Sequence, residues 1–369
     1  MFLARLYILC ILLISIFCNA CNLQAQEISL NSYFNYHPEV EYKVDSIFNA
    51  LPLRDKVAQM IVTSIGKNGK DYREVERLIR NHSVGGVIVM GGEKEAHKAA
   101  VANLNSLAAI HRNVPLLFSM DAEPSLINGR VKGSQNVGET NDIKTIEQSD
   151  SITNIINKEL HEIGIHHNYA PVLDISANNA AIKKRSYGSD PDQVVKLSNS
   201  FISASQNNDI IATAKHFPGH GLVTGDTHHQ SVFIDGELQE LSNYPPVIAN
   251  NVLSIMVAHI VIKNNPNYNT NDLPSTLSRN IVTDLLRNQL GFEGLIITDA
   301  LNVMKAVTIF EDAPLMASKA GCDIILMPQD EEAVIASILN EIAVDADYEQ
   351  QVMTSVRRVL RLKVCAGLF

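Results

Sequence analysis

The densest run of chemically capable side chains is Lys215-His216-Phe217-Pro218-Gly219-His220-Gly221, followed after four intervening residues by Asp226-Thr227-His228-His229. A cation and an imidazole stand side by side, a Pro-Gly turn follows, and glycines flank a loop carrying Asp-x-His. A carboxylate two residues from an imidazole can accept a hydrogen bond from one ring nitrogen. That bond fixes the tautomer, orients the ring and raises its pKa toward acid/base use. Two other readings fit the same residues: a polar loop with solvent-exposed histidines, or a metal site built from His216, His220, Asp226 and His228. Pro218 and Gly219 lie inside the His-x₃-His spacing, so both rings cannot project from one helical face as in a zinc helix. A second segment, Gly294-Leu295-Ile296-Ile297-Thr298-Asp299-Ala300-Leu301, ends an apolar run in a carboxylate. Asp299 either caps the next helix or serves as a nucleophile or general base on a rigid floor. Arg185, in Lys184-Arg185-Ser186-Tyr187-Gly188, suits an anion or a hydroxyl, or is a surface charge. Asp121 and Glu123 add an acidic pair with the same ambiguity.

These groups need elements to hold them. Eight apolar runs read as strands: Gln59–Ser64, Gly86–Met90, Pro115–Asp121, His166–Pro171, Ile210–His216, Ser254–Ile260, Leu295–Asp299 and Asp323–Met327. Helical patterns lie between them, as at Tyr72–Asn81, Glu95–His111, Glu147–Ile163, Asp192–Asn207, Ser278–Leu290 and Glu331–Ala343. Pro38–Leu51 reads as an extra helix before the first strand and Tyr348–Val364 as a closing one. Strands apolar on both faces and alternating with helices predict an α/β fold, a TIM-type (β/α)₈ barrel in a single domain. A doubly wound open sheet is the alternative. No G-x-G-x-x-G follows the early strands, which weakens its dinucleotide-binding form. A barrel gathers functional groups at the carboxyl ends of its strands. Asp121 ends the third strand and Asn168 and Asp174 bracket the end of the fourth. Lys215 and His216 end the fifth, His259 the sixth and Asp299 the seventh. Polar groups ending five of eight apolar strands predict one shared pocket, because each alone would be costly to bury.

The 369 residues are 46% apolar and 19% charged, a globular composition. A net charge of −10 gives no bulk electrostatic reason to bind nucleic acid. Trp is absent, so recognition by stacked indoles is excluded. Arg5, the apolar run Leu6–Phe17 and the small residues after it read as a secretory signal peptide over residues 1–26. The run is short for a membrane-spanning anchor. Cleavage near Ala25 or Gln26 is one expectation, and lipidation of Cys21, with membrane attachment, is another. Either predicts an exported protein of the periplasm or cell envelope, with residues 27–369 as the barrel domain. Cys322 and Cys365 are expected to be buried free thiols.

Together these segments resemble the family 3 glycoside hydrolases, and more narrowly their β-N-acetylglucosaminidase branch. The resemblance spans Leu51 to Phe369. It is carried by Lys215–Gly221 with Asp226-x-His228, by Thr298–Leu301, by Asn168–Asp174 and by Arg185–Gly188. It implies a TIM-type barrel and a retaining mechanism without metal or organic cofactor. Asp299 would match the nucleophile, and His228, paired with Asp226, the acid/base. Asp121, Arg185, Lys215, His216 and His259 would match positions that hold a small carbohydrate, an amino sugar or peptidoglycan fragment. The implied activity is removal of terminal β-linked N-acetylglucosamine. Alternatives are a non-catalytic sugar-binding homologue and another glycosidase, for glucosides or xylosides or metal-assisted, on the same barrel. Two departures stand out. The family's Asp-x-Glu is followed by a Gly-rich turn, whereas here Pro124 follows Glu123, which puts the rim and any contact from Arg130 in question. Val303 also separates Asn302 from Met304. The chain ends at Gly367-Leu368-Phe369, so the serine-hydrolase-like domain that some relatives carry is not expected.

Overall fold

The computed structural model describes residues 27–175, 182–223, 232–302 and 304–369. The predicted signal segment with Cys21 lies outside these, as do Asp226 and His228. Among the described residues, eight parallel strands form one sheet: β1 Ile61–Ile65, β2 Gly86–Val89, β3 Leu117–Met120, β4 His167–Asn168, β5 Ile211–Phe217, β6 Ser254–Val257, β7 Leu295–Thr298 and β8 Ile325–Leu326. Their order is β7-β6-β5-β4-β3-β2-β1-β8. A parallel bridge between Ile297 and Ile324, just before β8, brings the two edges together. The barrel expected from the alternating pattern is therefore the fold, and the open sheet is not. Every residue of these strands is buried, as required when helices cover the outside and side chains fill the inside.

Two strands are shorter than their apolar runs. Beyond Asn168 the chain still runs beside β5, with the Thr213 and Leu173 N–H groups donating to Ala170 O and Lys215 O. Pro171 has no N–H to donate, so the regular ladder stops there. The sixth run divides into β6 and a separate strand, Ile260–Lys263, which pairs in parallel with Val232–Asp235 outside the barrel. The helices follow local chemistry. Thr145 and Gln148 form a capping box at the start of Ile146–Ile163, and Gly164, at φ +91°, ends it in the left-handed region. Asp190 caps Pro191–Gln206, with Pro191 in the first turn where a missing N–H costs nothing. The predicted helix Ser278–Leu290 is present over Asn280–Gln289 but wound as a π-helix. Tyr244–Ala249 and Ala313–Ala320 are helices that periodicity did not single out. The helix Pro38–Ala50 packs against the last one, Ala346–Cys365. Among the described residues, no helix is long and apolar enough to cross a membrane. Cys322 and Cys365 are buried and free.

Candidate active site

The carboxyl ends of the strands open on a cavity of ≈ 470 Å³. Asn68, Asp121, Arg130, Arg185, Lys215, His216, His220 and Asp299 supply its polar lining, and Met90, Met256, Met304 and Met327 much of its apolar wall. Neighbours on a strand ordinarily face opposite sides, yet Lys215 and His216 both reach the cavity. The register between β5 and β6 slips between Lys215 and Phe217, and such an irregularity re-aims a side chain.

Lys215 is only 1% exposed, and its Nζ donates to Asp121 Oδ1 and Glu123 Oε1, both at 2.8 Å. Arg185 grips Glu123 with two bonds, Nε to Oε2 at 2.8 Å and Nη2 to Oε1 at 2.6 Å. This fork-to-carboxylate geometry is the strong form of the pair, so Arg185 is a structural cation and not a surface charge. Arg130 Nη2 donates to Asp121 Oδ2 at 3.2 Å. The atypical Pro124 begins a helix, Pro124–Arg130, whose far end returns Arg130 to the cavity. Burial works to raise Glu123, but the charges of Arg185 and Lys215 outweigh it and hold its carboxyl down at about 2. Burial likewise opposes ionisation of Asp121, and Lys215 and Arg130 hold it below the usual carboxylate range. Three cations thus face two carboxylates beside Asp299.

Asp299 leaves β7 at the cavity floor. Its Oδ1 accepts from the Ala300 N–H at 2.7 Å. Burial favours its neutral form, but the charges of His216 and His259, the Ala300 N–H and Lys215 together depress its pKa. It is an ionised carboxylate on a rigid strand end. It is not a helix cap, because the next helix begins at Lys305 with Met304 in the capping position.

Behind the cavity, fully buried Asp174 accepts from His216 Nδ1 at 2.6 Å, from the His216 N–H, and from the His220 N–H at 2.9 Å. Burial pushes Asp174 up, and the His216 charge and hydrogen bonds more than reverse it. An ionised Asp174 can only accept, so His216 Nδ1 carries a proton and donates it to that bond. His259 stands one layer back from the cavity. Its Nδ1 meets Thr276 Oγ1 at 2.8 Å and its Nε2 meets Ala300 O at 3.2 Å, so its influence reaches Asp299 through charge. The fold therefore gathers Asp121, Arg185, Lys215, His216 and Asp299 around one cavity, with His259 behind. The metal reading needs Asp226 and His228, which lie outside the described residues; within these, no three ligating side chains converge.

Sequence reasoning missed the second layer. Asp174 was visible only as a strand-end carboxylate, and Glu123 only as half of an ambiguous pair. Glu240, which caps backbone N–H groups under the β5 loop, had no signal, since it lies on a short 3₁₀ helix between elements. A wider cleft of ≈ 790 Å³ separates the π-helix from the last helix. Its Arg287 and Arg358 are engaged with buried Asp323, and it holds none of the strand-end groups.

The Glycosyl hydrolase family 3 N terminal domain matches residues 52–362. A curated relative, β-hexosaminidase A of Pseudoalteromonas piscicida, is 28% identical over 331 residues, covering 79% of this chain and 55% of that protein. A family 3 β-N-acetylglucosaminidase structure from Paenibacillus sp. str. FPU-7 superposes with a TM-score of 0.78 at 30% identity, over 86% of this chain and 63% of that one. A β-N-acetylhexosaminidase structure from Beutenbergia cavernae DSM 12333 gives 0.75 at 26% identity, over 86% of this chain and 99% of that one. The chain thus spans a little over half the length of the first relative and nearly all of the last. On the matched domain, the barrel and its strand-end carboxylate, the chain belongs to family 3 of the glycosyl hydrolases.

Proposed function

We propose that this chain is a retaining, exo-acting β-N-acetylglucosaminidase that releases terminal β-linked N-acetylglucosamine. The observation that carries the reading is an ionised Asp299 on the floor of a cavity ringed by Asp121, Arg130, Arg185, Lys215 and His216. Cations and carboxylates in fixed pairs suit a ligand rich in hydroxyls, whose oxygens both donate and accept. The named relatives act in the same sense: a β-hexosaminidase and a β-N-acetylglucosaminidase.

In this reading Asp299 Oδ attacks the anomeric carbon as the glycosidic bond breaks. His228, held by Asp226, gives its proton to the departing oxygen. Water then attacks the glycosyl-Asp299 ester, His228 takes the water's proton, and the sugar leaves with Asp299 restored. A free imidazole titrates near 6.5, so an Asp226 partner would keep it protonated often enough to act as the acid. The network around Lys215 would hold sugar hydroxyls, where a wrong sugar leaves buried groups unpaired.

The test is a panel of aryl β-N-acetylglucosaminides, β-glucosides and β-xylosides, with Asp299→Ala as control. Selective turnover of the N-acetylglucosaminide, lost in the variant, is expected. Binding without turnover would favour a sugar-binding homologue, and selective turnover of another glycoside would reassign the substrate. We also propose export through residues 1–26, with peptidoglycan fragments as the natural substrate. Fractionation of cells expressing the full chain and its Cys21→Ala form separates a lipidated from a cleaved product. Release of N-acetylglucosamine from purified muropeptides tests the substrate.

A further inference from the structure

Glu240 belongs to neither the cavity nor the charge network around Lys215. It sits on the 3₁₀ helix Gln239–Asn243 and is buried. Its Oε1 accepts the Ile175 N–H at 2.6 Å, both oxygens accept the Gly221 N–H at 3.2 and 3.1 Å, and Oε2 accepts the Leu222 N–H at 3.3 Å. Ile175 follows β4, while Gly221 and Leu222 follow β5, so one carboxyl ties two loops. Asn243, one turn on, donates to Leu173 O at 2.9 Å and reinforces the tie. At the other end of the same stretch Asp174 holds the His216 and His220 N–H groups. The segment His216–Leu222 is suspended between two buried carboxyls.

The fit explains the glycines of the Pro-Gly-His-Gly motif. A Cβ at Gly219 would lie 2.6 Å from Glu240 Cβ and Oε2. A Cβ at Gly221 would lie 1.9 Å from Ile175 O and 2.8 Å from Glu240 Oε1. Both are closer than packed atoms tolerate, so the loop root is moulded on Glu240. Among the described residues its donors are all backbone N–H groups, and a buried carboxyl held in that way is an expensive anchor. Burial, and then the charge of Asp174, push its pKa upward.

We propose that Glu240 is a positioning residue for the reaction, fixing the path by which the chain leaves β5 toward Asp226 and His228. The inference rests on the acid/base role proposed for His228. Among the described residues, Glu240 shares no hydrogen bond with Asp299, Lys215 or Arg185, so its loss should impair proton donation and spare nucleophilic attack.

Leaving-group dependence reads this split. A phenyl β-N-acetylglucosaminide needs a proton on its leaving oxygen, and a dinitrophenyl one does not. Glu240→Ala should lower kcat/KM for the phenyl substrate by roughly 10²-fold, within the range of general acid catalysis, and change the dinitrophenyl value by about 3-fold or less. Glu240→Gln should fall between, since its amide oxygen can still accept the Ile175 N–H while its NH₂ opposes the Leu222 N–H. It also carries the test if Glu240→Ala fails to fold, as judged by circular dichroism. Equal losses on both substrates, or none, would overturn the role of Glu240 alone. A wild type inactive on both would instead overturn the proposed function and this inference with it.

Discussion

Two lysines are buried at opposite ends of the barrel. Lys215, near the carboxyl end of β5, is 1% exposed and lies between the carboxylates of Asp121 and Glu123. Lys363, on the last helix, is wholly buried at the amino end, where its Nζ donates to Gln59 Oε1 and Gly85 O, each at 2.7 Å. Gln59 and Gly85 lie just before β1 and β2. The first lysine meets full opposite charge. Among the described residues the second meets neutral dipoles, and burial pushes its pKa down to about 7. At the carboxyl end, matched charges hold the cavity lining in place over a wide pH range. At the amino end the Lys363 amine acts as a peg tying the closing helix to the barrel floor, and burial makes its charged form costly. Equal burial therefore does not mean equal chemistry; the partners decide.

The largest expected effect lies at the carboxyl end and should leave the fold alone. Asp299→Ala should cut kcat/KM on an aryl β-N-acetylglucosaminide by roughly 10⁴-fold or more, as loss of a nucleophile does. The melting temperature should stay within a few degrees, about the shift that a change near 1 kcal/mol produces. A variant that keeps most of its activity would remove Asp299 from the reaction. Lys215→Met comes next and should damage both activity and stability. It leaves Glu123 with Arg185 and Asp121 with Arg130, and breaking a buried ion pair from one side costs about 3–5 kcal/mol. Urea unfolding measures that loss, and the comparison of the two lysines fails if Lys215→Met proves as mild as Lys363→Met. Arg185→Lys is a smaller probe of the same network. It keeps the charge but not the two-pronged grip on Glu123, and a cost of about 1–3 kcal/mol in unfolding free energy is expected for the lost charged hydrogen bonding.

The contrast also shows which features the sequence carried. All eight strands were legible, because strands buried on both faces must be continuous apolar runs, and several of the candidate site residues announced themselves as polar residues ending one. Asp121, Lys215, His216 and Asp299 line the cavity for that reason. What escaped was anything set by partners distant in the chain. Arg185 looked like a loop charge until Glu123, 62 residues earlier, came to face it. Pro124 looked disruptive because its effect depends on position, and at the first turn of a helix it is harmless. His259 carried the same strand-end signal as Asp299, yet its ring is held by Thr276 and Ala300 one layer back. Glu240 and Lys363 left no trace, since neither ends a strand and their partners are backbone groups and, for Lys363, the distant Gln59 side chain. The shortening of β4 at Pro171 could have been read, but the slip in β5 that turns both Lys215 and His216 inward could not.

The last prediction tests the amino end and is read as a difference in pH dependence. Between about 7 in the folded protein and 10.5 in the unfolded chain, the unfolded state holds a proton that folded Lys363 lacks. Stability from this group is therefore complete above the unfolded value and falls as pH drops to the folded one. The slope within that window is about 1.4 kcal/mol per pH unit for a single site. Lys363→Met removes the titration. It also leaves Gln59 Oε1 and Gly85 O without this donor, a penalty near 1–3 kcal/mol that is the same at every pH. Other groups titrate in both proteins and cancel in the difference. Urea unfolding at pH 7 and 9.5 should show wild type gaining roughly 2–3 kcal/mol on the variant over that interval. Equal pH dependence in the two would mean that Lys363 stays charged when folded. The amino end would then supply a counter-charge as the carboxyl end does, and the distinction between the two lysines would collapse.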